Sequence, residues 1–232
     1  VTASGLRHPL LAECGVEHAF GERDSQAPRA VARPVQVHGC AVARLGDGGR
    51  VEPAEADAIV SDAPGRAVGV VTADCVPILA ASRDGRAVAA IHAGWKGLAR
   101  GVIAEAIEAL ARLSGGAALV AVVGPHIGPD HYEVDAPVLD ALAPAFGDAL
   151  TPALRTGRPG HAWLDLGRLA RTALERSGLA PEHCAALPDA CTYAHPRRFH
   201  SFRRDGERAG RLLHHIAAGP APGSLDSRTS RA

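Results

Sequence analysis

The sequence predicts a single domain of α+β or mixed α/β class, on three observations. Short apolar runs broken by Pro and Gly turns fill the region 58–91, helical apolar spacing follows at once, and strand and helix patterns continue with no compositional boundary until residue 219. At 232 residues, 47% hydrophobic and 22% charged, the chain can bury one substantial core, and disordered or collagen-like classes are excluded.

The elements follow in order. Ala58 to Ala63 and Ala67 to Thr72 are buried strands parted by Pro64-Gly65. Pro77 to Ala81 and Ala87 to Ile91 flank Arg83-Asp84-Gly85-Arg86, the signature of a hairpin. Leu98, Val102, Ile103, Ala106, Ile107, Leu110 and Leu113 recur at helical spacing until Ser114-Gly115-Gly116 ends the run. Ala117 to Val123 is too short for a helix and closes at Gly124-Pro125, so it is a strand. A second helix carries Leu166, Leu169, Ala170, Ala173 and Leu174, with Asp165 as N-cap and Gly178 as stop. A third is expected from Asp205, burying Ala209, Leu212, Leu213 and Ile216. The domain spans 1–218, and the small, polar, Pro-rich stretch 219–232 is expected to be a disordered tail.

Composition narrows the function. Lys plus Arg and Asp plus Glu are 25 each, so no net field is available to hold nucleic acid or an acidic membrane surface. Two Trp, two Tyr and four Phe are too few for a base-stacking platform. Five scattered cysteines, with no Cys-x-x-Cys, argue against a disulfide framework, and no apolar run has the length of a membrane span. A cytoplasmic monomer or homodimer with neither nucleic-acid nor membrane partners is expected.

Chemistry concentrates at strand ends. Asp74 and Cys75 close one apolar strand, His92 closes another just before the Gly94-Trp95-Lys96-Gly97 turn, and His38 ends a short extended segment before Gly39. Converging on one ion, His38, Cys75 and His92 would offer two imidazoles and a thiolate, a donor set suited to Zn²⁺ with a fourth position open. Each residue is also an ordinary one: a Cys serves as a small hydrophobe, and a His beside Gly sits in many turns. A Cys75 nucleophile with His92 as base needs only hydrogen-bond reach and remains an alternative. His126, His131, His195, His200, His214 and His215 are read as surface histidines.

Gln36-x-His38-Gly39, Ala56-Asp57-Ala58, Thr72-Ala73-Asp74-Cys75, His92-Ala93-Gly94-Trp95, Gly124-Pro125-x-Ile127-Gly128 with Tyr132-Glu133-Val134, Leu164-Asp165-Leu166 and Ser201-Phe202-Arg203-Arg204-Asp205-Gly206 stand in sequence order. Together, from about residue 18 to about residue 211, they resemble the YfiH-like laccase-domain family. The resemblance implies a mixed β-sandwich flanked by helices and a zinc site at His38, Cys75 and His92. It also implies purine nucleoside phosphorylase activity on adenosine, inosine or methylthioadenosine, with adenosine deamination as a side activity. Purine nucleoside and phosphate are then the partners, bound with help from Asp74, Lys96, Arg203 or Arg204. Copper, which the family name suggests, is disfavoured because the chain has no His-x-His pair. The runner-up function is a cysteine-type hydrolase at Cys75 and His92, for example one that edits cell-wall peptide precursors. Lys96 stands where the family usually has Arg, and only twelve residues separate Arg23 from Gln36, where relatives carry a longer segment.

Overall fold

The computed structural model describes residues 4–220. Two sheets pack face to face, and helices cover the outer face of the larger, so the expected mixed β-sandwich flanked by helices is the fold observed. The larger sheet orders its strands as Cys184–Ala186, Leu119–Val123, Val76–Ser82, Val88–Ala93, Ala58–Ser61, Val42–Leu45 and Val51–Glu52. The smaller orders Glu17–Ala19, Leu212–Ala217, Ala67–Thr72 and Val31–Ala32. A third sheet of Glu133–Asp135, His161–Leu164 and Leu154–Thr156 lies apart.

Strand alternation assigns each residue to a layer. Along Val76–Ser82, Ile78 and Ala80 join the helix-side core with Ile103, Ile107, Leu110 and Leu169, whereas Leu79 and Ala81 join the core between the sheets with Val68, Val70 and Ile216. The strand is buried on both faces, which is why it reads as a continuous apolar run. The many alanines, among them Ala80, Ala81, Ala89 and Ala90 at 0% exposure, fill an interior that aromatic residues elsewhere would occupy.

The hairpin forms as expected, its turn held by Ser82 Oγ donating to Asp84 Oδ1 at 2.6 Å and by Gly85 at φ 70°. Asp165 caps the helix Leu166–Arg176 by accepting from Arg168 N at 2.8 Å. Two expectations change. The helical run from Leu98 is two helices, Trp95–Ala99 and Val102–Leu113, because Gly101 takes the left-handed conformation at φ 82° between them. The helix expected from Asp205 is a single turn, Phe202–Asp205, with a 3-10 turn, and Leu212–Ala217 is a strand antiparallel to Ala67–Thr72. Apolar residues at 212 and 216 fit both periods; Gly206 and Gly210 interrupt the helix, and pairing with two neighbouring strands decides the outcome. Gly219 and Pro220 are the described part of the stretch 219–232, and 221–232 lie outside the described residues. Among the described residues no helix is long and apolar enough to cross a membrane.

The same strand overturns a second expectation. His214 and His215, read as surface residues, are 0% and 4% exposed, and His18 on the adjacent strand is 2% exposed. Burial pushes all three imidazoles below the ordinary range, His214 to about 3. Below about pH 6.5 the unfolded chain therefore binds protons that the native fold refuses. Their stabilising effect is complete above that pH and is lost as pH falls toward the folded values. Unfolding free energies from denaturant titrations at pH 8 to pH 4 are expected to fall below about pH 6.5, by about 1.4 kcal/mol per pH unit for each histidine kept neutral. Replacing His214 with Gln should flatten that slope, and an unchanged slope would refute the assignment.

Candidate metal centre

Strand parity builds the site. Asp57 lies two residues before Ile59, Cys75 four before Leu79, and His92 two after Ala90; Ile59, Leu79 and Ala90 all belong to the core between the sheets. Asp57, Cys75 and His92 consequently share the side of the larger sheet that faces the smaller one. Thr72, in step with Val68 and Val70, faces them from the smaller sheet. The open end of the sandwich there is a cleft of about 620 Å³.

His38 arrives from an irregular segment that needs outside support. Gln36 anchors it by donating from Nε2 to Val71 O and accepting from Val71 N at Oε1, both at 2.8 Å. Asp57 then accepts from the N–H groups of Val37, His38 and Gly39 at 3.2, 3.0 and 2.6 Å. Arg100 donates to His38 O at 3.1 Å. Held this way, His38 adopts φ 57°, a conformation that non-glycine residues seldom take.

The Asp57 carboxylate, at 0% exposure, also binds Nδ1 of His92 at 2.7 Å. That leaves Nε2 of His92 for the cleft. The His38 and His92 rings meet edge to face at 4.8 Å between centres. The ligating atoms of His38, Cys75 and His92 lie within 4.8 Å of one another, and among the described residues no other His, Cys, Asp or Glu group gathers so. Gly94 makes this possible, since a Cβ there would stand 3.0 Å from Cys75 Sγ and 3.2 Å from His38 Cδ2.

The electrostatics agree with a ligand cluster. Burial pushes the Cys75 thiol up, but hydrogen bonds and charge from His38 and His92 outweigh it and bring the thiol to about 7. Burial works against protonation of His92, yet Asp57 and the Cys75 thiolate raise it to about 9. Burial likewise opposes charge on Asp57, and the hydrogen bonds from His92 and Gly39 still hold its carboxyl below the usual range. Two imidazoles and a thiolate, one imidazole oriented by a buried carboxylate, match the donor set and outer support of a zinc-type centre. The residues fit a metal.

The other residues expected at the substrate distribute differently. Lys96 lines the cleft with its ammonium 5.4 Å from the Trp95 ring centre. Arg203 also lines it, donating to Glu133 O at 2.8 Å with its guanidinium 4.9 Å from the Tyr132 ring centre. Arg204 does not reach the cleft: it donates to the carbonyls of Thr192, Tyr193 and Phe199 and pairs with Asp205. Asp74, strained at φ 92°, turns its carboxylate to Thr192 Oγ1, Ser201 Oγ and Arg203 N at 2.5, 3.0 and 2.6 Å. Both therefore fix the segment 192–204 against the end of the strand. Sequence reasoning did not find Arg33, Arg211, Tyr132 and Phe202 as wall residues, because nothing in spacing marks a cleft assembled from loops. The role of Asp57 was missed likewise, although its Ala-Asp-Ala setting before an apolar strand is an unusual place for a charge.

Residues 18–219 match the family described as multi-copper polyphenol oxidoreductase laccase. A purine nucleoside phosphorylase of Pseudomonas aeruginosa is 40% identical over 177 residues, covering 76% of this chain and 69% of that protein. The purine nucleoside phosphorylase YfiH of Escherichia coli K12 is 36% identical over 181 residues, covering 78% and 71%. Among solved structures, the Bacillus licheniformis hypothetical protein YfiH aligns with a TM-score of 0.74 at 29% identity, covering 81% of this chain and 74% of that one. Neisseria meningitidis protein NMB0706 aligns at 0.71 with 36% identity, covering 82% and 75%.

In chelator-treated protein, alkylation of Cys75, followed by mass spectrometry of its peptide, should show a midpoint near pH 7. Asp57→Asn removes the charge that keeps His92 protonated, so the midpoint should rise toward an ordinary thiol near 8.5. A midpoint unmoved by that change would show that His92 does not govern the thiol.

Proposed function

This chain belongs to the multi-copper polyphenol oxidoreductase laccase family, and on that footing we propose that it is a zinc-dependent purine nucleoside phosphorylase with adenosine deaminase side activity. The observation that carries the metal part is the His38, Cys75 and His92 cluster with Asp57 behind His92. The names of the relatives from Pseudomonas aeruginosa and Escherichia coli support the nucleoside part. Copper chemistry of the multi-site kind is disfavoured by the donor set, since the sequence has no His-x-His pair and, among the described residues, one such cluster forms.

When bound, a divalent ion supplies Lewis-acid polarisation of whatever group enters its remaining position. Asp57 keeps the proton on Nδ1 of His92 and so presents Nε2 to the cleft. Trp95, Tyr132 and Phe202 line walls against which a purine and its ribose can pack. Burial raises the Tyr132 phenol well above its ordinary range, so it stays protonated as a hydrogen-bond donor. Lys96 and Arg203 bring positive charge to the same space. In phosphorolysis a phosphate oxygen bonds to C1′ of the ribose as the glycosidic bond breaks; the base leaves with the bonding pair and takes up a proton, giving ribose 1-phosphate. Cationic side chains in a cleft of this kind stabilise charge as it redistributes.

One observation favours a second reading. Asp57, His92 and Cys75 also form the acid, base and nucleophile of a cysteine hydrolase, with the thiol brought down to about 7. His38 separates the two, because it has a place in the metal centre and none in that triad.

Protein purified without added metal is expected to contain about one zinc per chain, as a site of three protein ligands holds one ion. Incubated with adenosine, inosine or methylthioadenosine, it should release free base only when phosphate is present. Base release that ignores phosphate would indicate a hydrolase. His38→Ala and chelation should each abolish turnover; full activity in both, with loss on alkylation of Cys75, would establish the thiol as nucleophile.

A further inference from the structure

The floor of the cleft holds a hydroxyl whose direction the surrounding hydrogen bonds determine. Thr72 is 2% exposed and lines the cleft, with Oγ1 at 2.9 Å from Nε2 of His214. The other ring nitrogen of His214, Nδ1, faces the N–H of Gly21 at 3.3 Å and must accept from it. A neutral imidazole has one donor and one acceptor, so the proton of His214 is on Nε2. Nε2–H then donates to Thr72 Oγ1, and the threonine's own O–H needs an acceptor elsewhere. Among the described residues it has none, so the O–H is available to whatever enters the cleft.

Two arginines adjoin the strands on either side of Ala67–Thr72. Leu212 pairs with Thr72, which sets Arg211 beside it on one side. On the other, Arg33 follows the Val31–Ala32 strand, one position beyond the Ala32 and Val68 pair, and its long side chain lines the cleft. Both line the same cleft. Arg33 makes no hydrogen bond or ion pair among the described residues. Arg211 spends only Nη1, on the carbonyls of Ala209 and Gly210 at 3.0 and 3.1 Å. The nearby acceptors are already used: Asp74 holds three donors and Oε1 of Gln36 holds Val71 N. The space thus offers donors and positive charge, and the Asp74 carboxylate that shares the cleft is turned to three donors of its own, so the free donors suit an oxyanion.

We propose that Thr72, Arg33 and Arg211 form a phosphate subsite at the end of the Ala67–Thr72 strand, next to the His38, Cys75 and His92 cluster. This rests on the phosphorylase reading for the use made of the phosphate, whereas the subsite itself is a statement about binding. It assigns the co-substrate to residues other than Arg204, whose guanidinium is committed to carbonyls and to Asp205, and Arg203, whose Nη1 is held by Glu133 O beside the Tyr132 ring.

Isothermal titration of inorganic phosphate into the protein as purified, with metal content matched between variants, tests it. Thr72→Val and Arg33→Ala should each weaken binding about tenfold or more, and Thr72→Ser should stay within about twofold of the parent, since it keeps the hydroxyl. Arg33 is exposed, so its variant reports even if Thr72→Val disturbs the fold. Phosphate binding unchanged in both variants, or absent in the parent at millimolar concentrations, overturns the subsite. So does an effect confined to adenosine 5′-monophosphate, which would show a site for esterified phosphate. If the parent turns over nucleosides, Arg33→Ala should raise the KM for phosphate about tenfold and leave the KM for nucleoside within about twofold. Phosphate binding that follows the predicted order in a protein without nucleoside turnover would sink the phosphorylase reading and leave the subsite standing.

Discussion

Asp57 holds a negative charge at 0% exposure, and it can do so because four donors converge on its two oxygens: three successive backbone N–H groups from residues 37–39 and Nδ1 of His92. A buried carboxylate with fewer partners would be protonated or would destabilise the fold by several kcal/mol. The same four bonds set the path of the His38 segment, its left-handed turn and the orientation of the His92 ring. Neutralising Asp57 by an amide would put N–H groups against N–H groups on one side of the site. Two histidines from different parts of the chain are in this way fixed by one charge.

The sandwich supplies the rest of the constraint. Its small, aliphatic interior lets the two sheets lie close, and the register of Val76–Ser82 against Val88–Ala93 sets Pro77 opposite His92. Cys75 therefore emerges beside His92 on the same face. Gly94 keeps the approach open, and Asp74 holds the strained turn before Cys75 by engaging Thr192, Ser201 and Arg203 N. Strain at His38 and Asp74 is maintained by buried hydrogen bonds on either side of the ligand cluster. The C-terminal segment contributes as a wall and a brace, with Phe202, Arg203 and Arg211 lining the cleft.

Local patterns made much of this legible. The hairpin, the helix after Asp165 and the central strands follow from Gly-Asp turn chemistry, an N-cap and uninterrupted apolar runs. The three candidate residues stood out because side chains of metal-binding type ended strands or extended segments, two of them close before a glycine. What the sequence could not convey depends on distant pairing. Leu212–Ala217 has apolar spacing compatible with helix or strand, and only its position between Glu17–Ala19 and Ala67–Thr72 selects the strand and buries His214 and His215. The helix break at Gly101 needs one left-handed residue, which composition alone does not demand. Arg204 resembles Arg203 in sequence, yet one turn of helix sends it to backbone carbonyls and its neighbour to the cleft.

The central claim is that His38, Cys75 and His92 act as one metal-binding centre. X-ray absorption at the edge of the metal carried by the purified protein measures the ligand shell directly. One sulfur near 2.3 Å and two imidazole nitrogens at about 2.0–2.1 Å are expected, with the sulfur lost in Cys75→Ser. A shell of oxygen and nitrogen alone in the parent protein, or a sulfur contribution that survives Cys75→Ser, would contradict it.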